Sequence, residues 1–284
     1  MSATHALVLT AAVGISDRAV AGITAALGAV PVALEQMCAE WHVADGVLPP
    51  RPEGHDLNIV SLAGRAKRLL IADMDSTMIP VECIDELADF AGVKDRVADI
   101  TERAMQGELD FEEAIHERVG LLTGLPQAAL EQCYAERIAL NPGAEVLVRT
   151  MAGRGAMTAL VSGGFTFFTS RVAARAGFAL NRANTLLFDD SDHLTGKVGL
   201  PILGREAKRE TLLELCDEGG FGPDAVIAVG DGANDLAMVE IAGLGVAYKA
   251  KPALKAGANC SLENSDLTAL LSLQGIREGD WVNV

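Results

Sequence analysis

The sequence has too few basic residues to balance its acidic ones. Its 284 residues include 23 Lys and Arg against 39 Asp and Glu, which gives a formal net charge of −16. So acidic a chain is poorly suited to nucleic acid or to an anionic membrane surface, and we expect neither as a partner. An anionic small molecule must therefore be attracted by local features of its binding site.

Long apolar runs and cysteine patterns are also missing. No apolar run approaches the roughly 20 residues of a membrane span, and no basic segment precedes an apolar one at the N-terminus. The cysteines, which are Cys38, Cys83, Cys133, Cys216 and Cys260, are odd in number and lack metal-ligand spacing. These absences predict buried, reduced thiols and a cytoplasmic protein. Half of the residues are apolar, enough for a large core and more than one structural unit.

Two carboxylates follow one of the short apolar runs. Residues 69–72 have the character of a buried parallel strand, and Asp73 and Asp75 come directly after them. Ligands of open α/β sheets collect at the carboxyl ends of such strands. Carboxylates this close together raise a pKa or need a cation between them. An Asx turn or a helix cap explains the same residues equally well on this stretch alone.

A second acidic cluster follows the β-branched run at residues 225–229. Glycines on both sides of Asp231 allow a tight turn, and Asn234 and Asp235 precede a helix that should begin near Leu236. Two strands thus bring carboxylate and amide oxygens to one sheet edge, with no histidine or thiol nearby. That donor set predicts a magnesium site.

Two further features suit an anion. The apolar run at residues 159–161 ends in Ser162, Gly163 and Gly164, where a hydroxyl and unpaired backbone N–H groups can receive phosphate oxygens. Lys208 lies in the early turns of a helix that opens within residues 203–210, where the helix dipole disfavours a cation unless an anion is present. Taken singly, the first is usually only a turn and the second more often a solvated surface lysine.

In this order, the four features resemble the motif set of the haloacid dehalogenase-like phosphohydrolases. The motifs are Asp-x-Asp-x-Thr from Asp73, Ser-Gly-Gly from Ser162, Lys208, and Gly-Asp-Gly-x-Asn-Asp around Asp231. The resemblance runs from about Arg65 to about Leu273, and four motifs in sequence order after apolar runs are very specific. It implies a Rossmann-like core and phosphoryl transfer.

The resemblance also implies a role for each carboxylate. Asp73 attacks phosphorus and forms an aspartyl-phosphate, while Asp75 protonates the leaving alkoxide and later activates water. The metal is held by the Asp73 carboxylate, the Asp75 backbone carbonyl and Asp231, and Asp235 supports these ligands from behind.

The remaining motif residues are implied to bind the phosphoryl group. Ser162, the Gly163 N–H and Lys208 stabilise its charge together with the metal, and Asn234 touches the phosphate or the substrate.

Residues 81–145 have helical rather than strand periodicity. Apolar residues recur at helical spacing at Leu87, Phe90, Val97 and Ile100, and again at Phe111, Ile115, Val119 and Leu122. We expect a helical cap over the site. Within it, Glu82 and Arg118 form the pair needed to hold the ammonium and carboxylate of an amino acid. Without such a substrate, Glu82 is a favourable acid in a first helical turn, and Arg118 a surface partner of Glu117 or Glu113.

The cap segment closely resembles that of the phosphoserine phosphatases. Glu82, Met105, Phe111 and Arg118 match that family's substrate-contacting positions. The resemblance implies Mg²⁺-dependent hydrolysis of O-phospho-L-serine to L-serine and phosphate, the last step of serine biosynthesis. Three alternatives stay open: phosphohomoserine or another small phosphorylated amino acid as substrate, transfer of the phosphoryl group to an acceptor alcohol, and a catalytically silent phosphoserine or serine sensor.

The first 64 residues differ from the rest. We predict a strand at residues 5–10, a helix at 18–27 and a strand at 29–34, with a boundary in the proline-rich segment 49–54. This short α/β region is a degenerate regulatory domain or a dimerisation element, and a homodimer is left open. A β-hairpin should start near Thr185.

The predicted fold class is therefore α/β. A doubly wound, mainly parallel sheet occupies residues 65–284, with helices on both faces and the helical cap inserted at about 81–145. The short α/β N-terminal region of residues 1–64 precedes it.

Overall fold

The computed structural model describes residues 3–44, 48–105 and 108–284, without the side chains of residues 104, 105 and 205. It contains a six-stranded parallel sheet, a four-stranded antiparallel sheet and a two-stranded hairpin. The predicted fold class is confirmed.

An antiparallel sheet with one helix forms the N-terminal region. Its strands are β1 (His5–Thr10), β2 (Ala33–Leu34), β3 (Cys38–Val43) and β4 (Asp56–Ser61), in the order β2-β3-β1-β4. Helix α1 (Asp17–Leu27) begins where the Ser16 hydroxyl accepts the Ala19 N–H at 3.3 Å, and it ends at Gly28 with φ of 63°. The predicted first strand and helix are confirmed.

The other N-terminal predictions need correction. The predicted strand at residues 29–34 is reduced to Ala33–Leu34, because Pro31 lacks an N–H and the chain is still reversing after Gly28. The proline-rich segment 49–54 joins β3 to β4, so it lies inside the four-stranded unit. Strands β3 and β4 are not among the predicted elements, because their polar residues interrupt the apolar pattern. The domain limits at residue 64/65 stay a prediction.

The main sheet is built from the apolar runs. The remaining strands are β5 (Leu69–Ala72), β6 (Met157–Phe165), β7 (Leu180–Asn184), the hairpin β8 (Leu186–Phe188) and β9 (Leu194–Val198), β10 (Val226–Gly230), β11 (Leu244–Tyr248) and β12 (Cys260–Leu262). The six sheet strands are parallel in the order β12-β11-β10-β5-β6-β7. Leu69 and Ile71 pack in the core on one face, and Leu70 and Ala72 in the core on the other. Both faces are therefore buried, as parallel sheets require.

Helices cover the sheet and form the cap. After α1 they are α2 (Cys83–Phe90), α3 (Lys94–Met105), α4 (Phe111–Gly120), α5 (Gln127–Arg137), α6 (Ala144–Gly153), α7 (Thr166–Ala176), α8 (Arg205–Gly219), α9 (Leu236–Ile241), α10 (Pro252–Gly257) and α11 (Ala269–Leu273). Helices α2 to α5 lie between β5 and β6 and confirm the helical insertion. Among the described residues, no helix is both long and apolar enough to cross a membrane.

The β8–β9 hairpin fastens the cap to the core. The Gly124 N–H donates to the Leu194 carbonyl at 2.8 Å, and the Leu194 N–H donates to the Leu125 carbonyl at 2.9 Å. The hairpin was predicted, but this contact was not. The cap is thus joined to the core by the chain at its two ends, and also by hydrogen bonds to the β8–β9 hairpin, which follows β7.

A buried ion pair joins the N-terminal sheet to the main core. The Arg65 guanidinium donates to both Glu40 carboxylate oxygens at 2.8 and 2.9 Å, and also to the Leu273 and Ser272 carbonyls. Burial alone would raise the pKa of Glu40, but the Arg65 hydrogen bonds and charge lower it overall. Removing one partner would leave the other charge buried without compensation.

We therefore expect Arg65→Ala to lower the free energy of unfolding by about 3 to 5 kcal/mol, because Glu40 loses its main counter-charge. Urea unfolding measures this change. Arg149→Ala is the control, since Arg149 and its partner Glu145 keep 43% and 32% of their side-chain surface exposed. It should cost less than about 1 kcal/mol. Equal losses in the two variants would contradict the anchoring role of Arg65.

Candidate active site

The carboxyl ends of three neighbouring strands bring the predicted site residues together. Parallel pairing of β5 with both β10 and β6 places Asp73, Asp231 and Ser162 at one edge. The Asp73 N–H donates to the Val229 carbonyl at 3.0 Å, which continues the sheet ladder into the site. All three side chains are buried. A cavity of about 370 Å³ opens above them.

Most of the predicted residues share this cavity. Its lining includes Asp73, Asp75, Glu82, Phe111, Arg118, Ser162, Gly163, Asp231 and Asn234. Lys208 and Asp235 lie buried beneath it. The side chain of Met105 lies outside the described residues, so its predicted substrate contact stays a prediction.

Lys208 connects two of the motifs. Its ammonium lies 2.5 Å from Asp73 Oδ1 and 2.5 Å from Asp235 Oδ1, and only 3% of its side chain is exposed. Burial alone would lower the pKa of Lys208, but the two carboxylates outweigh it and raise the pKa. The solvated-surface interpretation of this residue is wrong. A permanent cation sits against the predicted nucleophile.

Asp235 is fully engaged by its neighbours. Its second oxygen accepts the Asp231 and Gly232 N–H groups at 3.1 and 3.0 Å, while the first accepts Lys208. Asp235 thus fixes the turn that carries Asp231, and its predicted role behind the metal ligands stays a prediction.

The carboxylates at the sheet edge suit a divalent cation. Oxygens of Asp73, Asp231 and Asp235 lie within 4.8 Å of one another. Burial, with the charge of Asp235, raises the pKa of Asp73 well above its usual range despite Lys208. Burial and the charges of Asp235 and Glu82 raise the pKa of Asp231 to about 6. A cluster that resists ionisation without a cation, and offers only oxygen donors, fits a hard metal ion.

The Asp75 carboxyl group is held by one hydrogen bond to each of its oxygens. Its Oδ1 accepts the Cys83 N–H at 3.0 Å and its Oδ2 accepts the Ser162 hydroxyl at 3.3 Å. Burial, followed by the charge of Glu82, raises the pKa of Asp75 to about 7. A carboxyl group with that pKa can both give and take a proton near neutral pH.

Two glycines allow the site to close tightly. A Cβ at Gly164 would lie 2.8 Å from Asp75 Oδ2, and one at Gly163 would lie 3.2 Å from the Phe111 ring. The Ser162 hydroxyl accepts the Gly164 N–H at 2.9 Å, and the Gly163 carbonyl accepts the Asn184 amide at 2.9 Å. Only glycine therefore lets β6 pass between the catalytic loop and the cap.

The cap supplies a carboxylate and a guanidinium. Glu82 stands at the start of α2 and accepts the Ser76 hydroxyl at 2.7 Å. Arg118 donates through Nε to the Ala114 carbonyl at 3.1 Å, and burial lowers its pKa against the opposing charges of Asp85 and Glu82.

The surface-pair interpretation of Arg118 is wrong. Glu117 pairs with Arg103 at 3.1 Å, and Glu113 accepts the Asp110 N–H at the start of α4. Within the described ranges, Arg118 forms no salt bridge. Its guanidinium lines the cavity instead.

Two charged residues of the cavity, Asp85 and Lys251, are not among the predicted site residues. Asp85 lies one helical turn after Glu82. Lys251 follows β11, which is the next strand beyond β10 at the same sheet edge. The rule that identified Asp73 and Asp231 would have identified Lys251, had the apolar run at residues 244–248 been assigned as a strand.

A family model for haloacid dehalogenase-like hydrolases matches residues 70–240. The chain belongs to this family. Members use a divalent metal ion, in agreement with the carboxylate cluster described above.

Known relatives match about three quarters of this chain. A phosphoserine phosphatase from Archaeoglobus fulgidus is 45% identical over 75% of this chain, and the match spans 61% of that relative's length. A phosphoserine phosphatase from Albidiferax ferrireducens is 47% identical over 72% of this chain and 89% of its own. A solved structure described as a phospho-aspartyl intermediate analogue of phosphoserine phosphatase has a TM-score of 0.67 and 39% identity, over 73% of this chain and 98% of its own.

The raised carboxyl pKa values predict that the stabilisation of the fold by a bound metal ion depends on pH. Asp75 and Asp231, at about 7 and about 6, bind protons more tightly when folded than when unfolded. Their contribution to stability is full below the unfolded pKa of about 4 and is lost as pH rises through about 6 to 7. Mg²⁺ should therefore raise the Tm more at about pH 8 than at about pH 5, because it needs the ionised carboxylates of Asp73 and Asp231.

Thermal unfolding with EDTA or with Mg²⁺ at the two pH values tests this. Asp231→Asn should lose most of the metal-induced shift. A shift of the same size at both pH values would contradict the proposed cation site.

Proposed function

We propose that this protein hydrolyses O-phospho-L-serine to L-serine and phosphate with Mg²⁺ as its cofactor. One observation carries the proposal. A single cavity of about 370 Å³ joins a carboxylate nucleophile to a cap that carries Glu82 and Arg118. The nucleophile suits a phosphate ester as substrate, and the cap residues suit the ammonium and carboxylate of an amino acid.

Asp73 is the proposed nucleophile. Lys208 occupies its Oδ1, which leaves Oδ2 to attack phosphorus, and the charge of Lys208 favours the ionised carboxylate against the effect of burial. As the new bond to phosphorus forms, the bond to the serine oxygen breaks. The departing oxygen takes the proton of the Asp75 carboxyl group, so serine leaves neutral at its hydroxyl and Asp75 becomes a carboxylate.

The second half of the reaction reverses the proton transfer. The Asp75 carboxylate takes a proton from water, whose oxygen attacks phosphorus and releases the Asp73 carboxylate. The pKa of about 7 suits Asp75 to both steps, since it is close to the working pH.

The donor set fits Mg²⁺. Carboxylates of Asp73 and Asp231 and the backbone carbonyl of Asp75 would hold it, and Asp235 would fix Asp231 through the turn described above. When bound, the ion offsets the negative charge of the phosphoryl group.

The substrate is proposed to bind by both ends. Ser162, the Gly163 N–H, Lys208 and Asn234 bind the phosphoryl group. Glu82 pairs with the ammonium and Arg118 with the carboxylate, while Phe111 and Met105 pack on the carbon chain. Arg118 offers four N–H donors beyond the one held by Ala114, enough for a bidentate pair.

The comparisons support this proposal. The relatives named above are phosphoserine phosphatases, and one solved relative carries an analogue of a phospho-aspartyl intermediate. The cytoplasmic location and the absence of a nucleic-acid partner stay predictions. Whether the protein forms a homodimer stays open.

The two aspartates should fail in different ways. Asp73→Asn should form no phosphoenzyme, because the amide is not a nucleophile. Asp75→Asn should slow both formation and breakdown by about 10²- to 10⁴-fold, because each step loses its proton carrier. Rapid quenching with ³²P-labelled phosphoserine measures both steps. Normal turnover by Asp73→Asn would overturn the mechanism.

Arg118→Ala should lower the activity on phosphoserine selectively. We expect kcat/KM for phosphoserine to fall by about 10²-fold, because a charge-assisted pair is lost, with little change for p-nitrophenyl phosphate, which has no carboxylate. Arg103→Ala is the matched control, since Arg103 lies in the same cap but pairs with Glu117 away from the cavity. Equal losses on both substrates would mean that Arg118 supports the cap instead.

A further inference from the structure

Lys251 lies at the site but belongs to none of the four motifs. Strand β11 pairs with β10, and the chain turns at Lys249 with φ of 46°. The Lys251 N–H then donates to the Asp231 carbonyl at 2.8 Å, and Pro252 begins α10. The backbone of Lys251 is therefore fixed to the backbone of a proposed metal ligand.

The side chain of Lys251 faces the cavity, unlike its neighbours. The Lys255 ammonium pairs with Glu263 at 2.9 Å, and the Lys249 ammonium lies 5.1 Å from the centre of the Tyr248 ring. Lys251 lines the cavity with Asp231 and Asn234. In the part of the chain that the structure describes, it has no salt bridge and no side-chain hydrogen bond.

The cavity is mostly acidic, so an anionic ligand needs a cation such as Lys251 in its lining. Among the described side chains, its lining contains the carboxylates of Asp73, Asp75, Glu82, Asp85 and Asp231 and two cations, Arg118 and Lys251. Arg118 faces Glu82 and Asp85 in the cap, and Lys208 beneath the cavity is held by two carboxylates. The positive charge of Lys251 acts on Asp231, but no salt bridge or hydrogen bond among the described residues holds its ammonium, which is therefore free to reach an anionic ligand in the cavity. A dianionic phosphate group attracts a flexible ammonium strongly.

We propose that Lys251 is a substrate-binding residue that donates hydrogen bonds to the phosphate oxygens, from the Asp231 side of the cavity. The inference rests on the proposed function in one respect, that the ligand is a phosphate monoester. Because Lys251 is proposed to bind the phosphate group, its loss should weaken the binding of every phosphate ester and of free phosphate alike. Arg118, by contrast, discriminates between substrates.

The test compares Lys251→Gln, Lys251→Arg and the control Lys255→Gln in the Mg²⁺-saturated enzyme. Lys255 gives the same charge change in the same segment, but its ammonium is engaged by Glu263. We expect Lys251→Gln to raise the KM for phosphoserine and for p-nitrophenyl phosphate, and the Ki for inorganic phosphate, by about tenfold each. Lys251→Arg should keep most of the affinity, and Lys255→Gln should match the wild type.

Two outcomes would overturn the inference. One is an unchanged Ki for inorganic phosphate in Lys251→Gln. The other is a changed Mg²⁺ requirement with an unchanged Ki, which would mean that Lys251 acts through Asp231. If the wild type prefers another ester over phosphoserine, the proposed substrate fails, yet the inorganic phosphate Ki still decides the role of Lys251.

Discussion

The buried contact of Lys208 with Asp73 and Asp235 is the interaction on which the site depends. A charge inside a protein is tolerated only when it is paired, and here one ammonium serves two carboxylates at 2.5 Å each. Through this contact α8 is tied to the ends of both β5 and β10. Asp235 then fixes the turn of Asp231, and Asp73 keeps its Oδ2 free of Lys208, as the proposed nucleophilic attack requires. The loss of any member would disturb both the charge balance and the geometry of the sheet edge.

The sheet edge and the cap have different proposed roles. On the proposed mechanism, the sheet edge carries the groups that act on phosphorus, and none of them recognises what the phosphate is attached to. The cap carries Glu82 and Arg118, which are proposed to recognise the rest of the substrate. The hairpin β8–β9 fastens the cap beside α4, so that the sheet edge and the cap keep their relative position. On this account a change of substrate requires changes in α2 and α4 and leaves the sheet edge intact.

The sequence predicted the sheet edge well because buried parallel strands are continuous apolar runs, and the motif residues directly follow them. It was less informative where structure arises from contacts between distant segments. Strands β3 and β4 contain polar residues whose partners lie far along the chain, such as Glu40 with Arg65 and Asp56 with the N–H groups of residues 263–265. Taken singly, Lys208 has the character of a surface lysine; the motif resemblance predicts its place at the phosphate site, but its pairing with two carboxylates appears only in the folded chain. The contact of the hairpin with the cap and the place of Lys251 in the cavity likewise exist only in three dimensions.

The most direct test is phosphate release by the wild-type protein with Mg²⁺, from L-phosphoserine, phosphohomoserine, phosphothreonine, glycerol phosphate and p-nitrophenyl phosphate, with a metal-free control. The account predicts a strong preference for L-phosphoserine that disappears without metal. Comparable rates on all five esters would contradict the proposed recognition by Glu82 and Arg118, and tight binding of phosphoserine without phosphate release would contradict catalysis itself.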